Sequence, residues 1–183
     1  ASDSGPGFGA CMASKVFSID NFRRYAPNRS KLDRKACVAA ILQQLKGEWH
    51  IFYIKRAINP ADFWSGQMGW PGGRQQNSES DEDTVIREVR EEIGVDISTA
   101  NDAFELVGRL DDESAPKRGR MKSFAVCIFV FIQRRPVEFV LDLREVAAGL
   151  WVPLSFFTNP KLAWSSQPFA VIPPSSAEGK NKH

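Results

Sequence analysis

Apolar positions recur along this chain in two different rhythms. From Lys35 to Leu45, "KACVAAILQQL", and from Trp49 to Ala57, "WHIFYIKRA", β-branched and aromatic residues crowd two runs joined by a Lys46-Gly47-Glu48 turn, which predicts paired strands. "FELVGRL" predicts another strand, and the longest apolar run, "SFAVCIFVFI", predicts one buried on both faces. "VEFVLDL" and "GLWVPL" read as the last two. The intervening stretch "INPADFWSGQMGWPGG" is rich in Pro, Gly, Asn and Asp and reads as a loop with little strand in it. After it the rhythm changes. On a wheel advancing about 100° per residue, Val85, Ile86, Val89 and Ile93 share one side. Ser80, with Asp83 three residues on, suits an N-cap. Asp81, Glu82 and Asp83 complement the helix dipole, and Gly94 supplies a left-handed stop. The pattern predicts a helix over about 81–93, with a short amphipathic turn of helix between Phe17 and Tyr25. Strands, one helix, then more strands predict an α/β (α+β) fold with a mixed sheet and a helix packed on a face.

Composition bounds what this fold serves. A chain of 183 residues, 43% hydrophobic and 25% charged, is long enough for one domain with a closed core. Residues 1–16, small and glycine-rich, read as a flexible lead-in or cloning remnant; 17–174 as the domain; and 175–183 as a disordered tail. Little sequence follows Trp164 for a closing helix. A formal net charge of +2 gives no global field toward nucleic acid or membrane. Cys11, Cys37 and Cys127 show neither a zinc spacing nor a disulfide framework and read as reduced thiols. No apolar run reaches the roughly 18 residues of a membrane span, and no secretory signal is evident. The expectation is a protein inside the cell, cytoplasmic by default, as monomer or homodimer.

Chemistry enters with the helix. Glu88, Glu91 and Glu92 share the side next to its aliphatic face. Like charges at such spacings repel by a few tenths of a kcal/mol per pair. Arg87 and Arg90 offset this in an ordinary salt-laced surface helix. A divalent cation offsets it too, since Mg²⁺ takes hard oxygen ligands from carboxylates, waters and phosphates.

The wider segment is far more specific: Gly73, Glu79, then Arg87-Glu88-Val89-Arg90-Glu91-Glu92-Ile93-Gly94-Val95. It resembles the complete signature of the Nudix hydrolases. "WSGQMGWPGGR" upstream and "EVAAGLWVPLSFF" downstream extend the likeness over roughly residues 37–157. The resemblance implies a mixed sheet sandwiched by helices and cleavage of a phosphoanhydride in a nucleoside diphosphate linked to another moiety, with Mg²⁺ (or Mn²⁺) and a water nucleophile. By this likeness Glu88, Glu91, Glu92 and the Gly73 carbonyl hold metal. Glu88 or Glu92 acts as general base and Arg87 orients a glutamate. Glu79 and Gly72 support the loop or outer shell. A distal acid is expected from Glu145 or from Asp111, Asp112 and Glu113. The family also carries a second helix near its C-terminus.

"KRAINPADFWSGQMGWPGG" partly resembles the coenzyme A pyrophosphatase branch through Arg56, Gly66 and the Trp70-Pro71-Gly72-Gly73 turn, with Asp62 where a second arginine is expected. CoA or an acyl-CoA is therefore one candidate substrate, which a mitochondrial or peroxisomal home would suit. ADP-ribose, NADH, a dinucleoside polyphosphate or a nucleoside triphosphate is the alternative, as is a sensor that binds without cleaving. Arg56, Trp70, Arg74, Arg118 and Arg120 are candidate substrate contacts, the last two in a basic loop with Lys117 and Lys122. Phe63 and Trp64 are candidates for stacking on a base.

Overall fold

The computed structural model describes residues 19–115, 123–158 and 170–172. The basic loop with Arg118 and Arg120, the lead-in 1–16, the tail 175–183 and Cys11 lie outside the described residues. In chain order the elements are α1 (Ile19–Arg23), β1 (Lys35–Leu45), β2 (Glu48–Arg56), β3 (Met68–Gly69), β4 (Gly72–Arg74), α2 (Asp81–Ile93), β5 (Phe104–Arg109), β6 (Glu113–Ala115), β7 (Phe124–Gln133), β8 (Val146–Pro153), α3 (Ser155–Thr158) and β9 (Ala170–Ile172).

One mixed sheet runs in the order β5-β7-β1-β2-β8-β9, with β3 on β2, β4 on β1 and β6 on β7. Among the described residues only β1 and β7 pair in parallel. They are central and buried on both faces, which explains runs too uniformly apolar to show alternation. The inward faces build two cores. On one, Cys37, Ala39, Ile41, Phe129 and Phe131 meet Val85, Val89 and Ile93 of α2. Each aliphatic side chain of α2 contributes roughly 2 kcal/mol by burial, as an upper estimate. On the other, Leu42, Ile128, Val130 and Ile132 meet Ile19 and Phe22 of α1 and Phe156 of α3. Helices therefore cover both faces.

The cleft follows from the pairing of β1. Its first residues, Ala36 to Val38, pair with β4, and its last, Leu42 to Leu45, pair with β2. β2 and β4 thus leave the same edge of β1 in different places and splay apart.

One expectation fails. "VEFVLDL" is not a strand; residues 137–143 cross the end of α2, where Val140 N–H donates to the Ile93 carbonyl at 3.0 Å and Asp142 N–H to that of Glu92 at 3.0 Å. The alternation is real, since Phe139 and Leu141 are buried. The partner is not a sheet edge but the orphan carbonyls of a helix terminus. The closing helix of the resemblance corresponds to no element among the described residues beyond the four-residue α3.

Candidate active site

The helix that carries the carboxylates is fixed at both ends. The Ser80 hydroxyl oxygen accepts the Asp83 N–H at 3.0 Å, and Gly94, at φ 70°, donates its N–H to the Arg90 carbonyl. Asp81 in the first turn bonds Lys35 Nζ at 3.0 Å, Arg109 at 2.7 Å and Gln75 at 3.0 Å, tying the helix start to the sheet.

Glu92 is the most confined of the three carboxylates, at 1% exposure. Its Oε2 accepts the Gly72 N–H at 2.7 Å, and Oε1 lies 3.7 Å from the Arg56 guanidinium. Burial pushes its carboxyl up to about 8, which the Gly72 bond and Arg56 only partly oppose. Burial raises Glu88 as well, against the pull of Arg87. Glu145 lies close enough to both that its charge raises them further. Glu91 is turned aside, 54% exposed, with its Oε2 at 3.0 Å from Arg87.

Arg87 is the hub of this face. It donates to Glu79 at 2.6 and 3.1 Å, to Glu88 at 2.9 Å, to Glu91 at 3.0 Å and to the Arg74 carbonyl at 3.1 Å. Glu79 also accepts the Gln76 N–H and the Thr84 hydroxyl, and the Arg87 guanidinium, first among these partners, holds it down to about 2. Gly73 faces Glu88 so closely that a Cβ there would meet its Cδ at 2.5 Å. Gly72, at φ 144°, leaves no room either: its Cβ would stand 2.6 Å from the Val38 Cα.

These groups open into a cavity of about 700 Å³ lined by Glu88, Glu92, Glu145, Arg56 and Arg74. Val38, Trp64, Met68, Trp70, Phe124 and Ile128 form apolar and aromatic walls, and Asn59, Asp62 and Gln67 add polar groups. Trp70 rests against Tyr53 at 5.9 Å, with its indole Nε1 buried and unpartnered. Phe63, paired edge-on with Trp64, is exposed outside the lining. Of the four candidate distal acids, only Glu145 lines the cavity. Asp111 is bonded to Asn28, Asp112 to Arg109 and Ser30, and Glu113 is exposed on β6.

Sequence reasoning missed the apolar wall and the partner of Arg56. Ala36 and Val38 stand opposite Val126 and Ile128 in the β1/β7 register, but with both strand faces apolar no alternation marks which side faces a ligand. Asp62 is the missed partner: it accepts from Arg56 Nε at 2.9 Å and from the Trp64 N–H at 3.0 Å.

The donor set suits a hard divalent cation. Buried Glu92 and partly buried Glu88, both with raised proton affinity, sit beside the Gly72-Gly73 turn with Glu145 on the same cavity, and Arg56 at 3.7 Å from Glu92 and Arg87 at 2.9 Å from Glu88 only partly offset their charge.

The chain is similar to several known proteins. An uncharacterized protein of Schizosaccharomyces pombe is 32% identical over 114 residues, covering 61% of this chain and 34% of that protein. A peroxisomal coenzyme A diphosphatase of Caenorhabditis elegans is 35% identical over 96 residues, 50% of this chain and 37% of that protein. The chain thus spans about a third of the length of these relatives. Among solved structures, the C. elegans Ap4A hydrolase in a binary complex superposes with a TM-score of 0.54 at 18% identity, over 73% of this chain and 88% of that one, a likeness of fold. The NUDIX domain family model matches residues 33–170, from just before β1 to the first residue of β9, and by that span the chain belongs to the Nudix family.

Proposed function

We propose that the protein is a divalent-metal-dependent pyrophosphohydrolase that cleaves the phosphoanhydride of a nucleoside diphosphate derivative. The observation that carries this is the convergence of Glu88, Glu92 and Glu145 with Arg56 and Arg74 in one cavity walled by Gly72 and Gly73. Glu88, Glu92 and the Gly73 carbonyl, with Glu91 at the rim, would hold Mg²⁺ or Mn²⁺. Such an ion neutralises the diphosphate, orients it and acidifies water.

The chain's own residues do the rest. Arg87 holds Glu88 in one rotamer, so the carboxylate is placed before substrate arrives. Glu88 is our assignment for the group that takes the proton of the attacking water, with Glu145 across the cavity. Arg56, steadied by Asp62, and Arg74 compensate phosphate charge. Gly72 and Gly73 let backbone approach where any Cβ would collide. The apolar wall, with Trp70, excludes water and takes the uncharged part of the ligand.

Coenzyme A or an acyl-CoA is the substrate we place first. The C. elegans diphosphatase supports it, as does the Arg56-to-Gly73 segment; Asp62 in place of a second arginine weighs toward ADP-ribose, NADH or a dinucleoside polyphosphate. We place the protein inside the cell. No helix among the described residues is long and apolar enough to cross a membrane.

The test is a phosphate and nucleotide release screen with Mg²⁺ over CoA, acyl-CoAs, ADP-ribose, NADH, diadenosine polyphosphates, nucleoside triphosphates and capped RNA. We expect cleavage of one class, abolished in Glu92→Gln. Tight binding of one compound without cleavage of any would replace the hydrolase by a sensor.

A further inference from the structure

Two nucleophilic side chains remain unused by the proposed chemistry. Cys37 on β1 and Cys127 on β7 are direct partners in the parallel register, and both are wholly buried. They face α2, whereas the cavity is walled by the alternate positions of the same strands. Neighbouring strands lie about 4.8 Å apart, inside the roughly 4.4–6.8 Å that a disulfide spans between Cα atoms. Both sulfurs and an Asp81 carboxylate oxygen lie within 4.8 Å of one another.

Charged groups, not only apolar core, surround the two thiols. Arg109 sits beside them, bonded to Asp81 at 2.7 Å, and Cys127 Sγ is 3.8 Å from the same carboxylate oxygen. The hydrogen bond from Cys37 draws the Cys127 thiol down and the Arg109 charge adds to this, while burial and the Asp81 and Asp112 charges oppose it; the same hydrogen bond, with burial, pushes Cys37 up. A polar pocket of about 340 Å³ is lined by Lys35 and Gln75, which bond Asp81 from outside, so it opens next to this cluster without reaching either sulfur. A soft metal ion would also suit two thiols and a carboxylate. Asp81 already carries Lys35 and Arg109, however, and a cation there would face both.

We propose that Cys37 and Cys127 are a redox-active dithiol, closed to a disulfide by a hydroperoxide, that bonds β1 to β7 beneath the first turn of α2. The Cys127 thiolate attacks one peroxide oxygen, the O–O bond breaks, and a sulfenic acid forms as hydroxide leaves. Cys37 sulfur then attacks Cys127 sulfur, the S–O bond breaks, and the S–S bond forms. Its proton and the departing oxygen leave as water. Two thiols and one hydrogen peroxide give one disulfide and two waters, with two electrons passing to the peroxide. The consequence reaches the site through the backbone, because Cys37 is the register partner of Gly73.

The experiment is peptide mapping of the full chain in a Cys11→Ser background. Folded protein is treated with graded hydrogen peroxide, quenched with catalase, denatured with an alkylating agent and digested without reductant. The expected product is a cross-linked pair of tryptic peptides carrying Cys37 and Cys127, abolished by dithiothreitol and formed faster in the folded than in the urea-unfolded chain. In Cys37→Ala the first step should be trapped as a sulfenic acid on Cys127 by dimedone. Singly alkylated cysteines throughout, or a cross-link formed only after unfolding, would overturn the proposal. Because the readout is mass and not turnover, it stands or falls apart from the hydrolase reading.

Discussion

Adjacent glycines in the turn before α2 do different jobs, and substitution separates them. Gly73 lacks a side chain because the Glu88 carboxylate occupies that space; its backbone conformation is otherwise ordinary. Gly73→Ala should therefore fold, with a melting temperature near that of the native chain, while displacing Glu88 and lowering kcat by about 10²-fold or more, the scale at which small misplacements act. Gly72 is held at positive φ and against β1 backbone that cannot retreat. Gly72→Ala should cost about 2 kcal/mol or more of stability and show as a lowered denaturation midpoint before any activity is assayed. Equal effects on folding from both substitutions would contradict this division. The signature residues were recognisable in the sequence because their spacing is local to one helix. The partners that give them character were not: Glu145 joins Glu88 and Glu92 from more than fifty residues downstream, and Asp62 reaches Arg56 only through a folded loop.

Local order explains why α2 was legible and the segment after β7 was not. Cap, first-turn acids, apolar stripe and terminal glycine of α2 all lie within fifteen residues, and each has the partner its sequence position implies. Ser80→Ala removes the hydroxyl that accepts the Asp83 N–H and should cost about 1 kcal/mol, a shift of a few degrees by calorimetry, with kcat within about twofold because no cavity group moves. Residues 137–143 alternate as well as any strand, but alternation reports only that one side is buried. Which element supplies the hydrogen bonds is a non-local matter, and here the carbonyls of Ile93 and Glu92 won. That contact also places Asp142, and hence Glu145, beside α2.

Taken together, the charges make the stability of the metal-free protein depend on pH in a direction set by Glu92. A carboxyl whose pKa rises from 4.5 to about 8 on folding binds its proton more tightly in the native state. Its stabilising effect is full below pH 4.5 and is lost as pH rises through about 8, an effect on the order of a few kcal/mol. In the presence of a chelator, the melting temperature should fall between these limits, and Glu92→Gln should flatten that fall. Adding Mg²⁺ at the alkaline end should restore the native protein and leave the variant unmoved. A pH profile identical in both proteins would remove Glu92 from the buried, proton-binding state described above. Glu79 acts in the opposite sense, since its pKa is lowered to about 2: its contribution is full above 4.5 and is lost as pH falls from there through about 2.

The sequence by itself determined what depends on neighbours along the chain: the helix with its caps, the strand runs, and the Arg87-to-Gly94 spacing that marks the family. Tertiary structure decided what depends on distance in space. Splaying of β2 and β4 from β1 opened the cavity, and burial at 1% exposure separated Glu92 from Glu91, one residue away and half in solvent. The parallel register of β1 with β7 brought together two cysteines ninety positions apart. Periodicity encodes which face of an element is apolar, but charge, proton affinity and reactivity are set by what the folded chain brings within a few ångströms, and no local pattern records that.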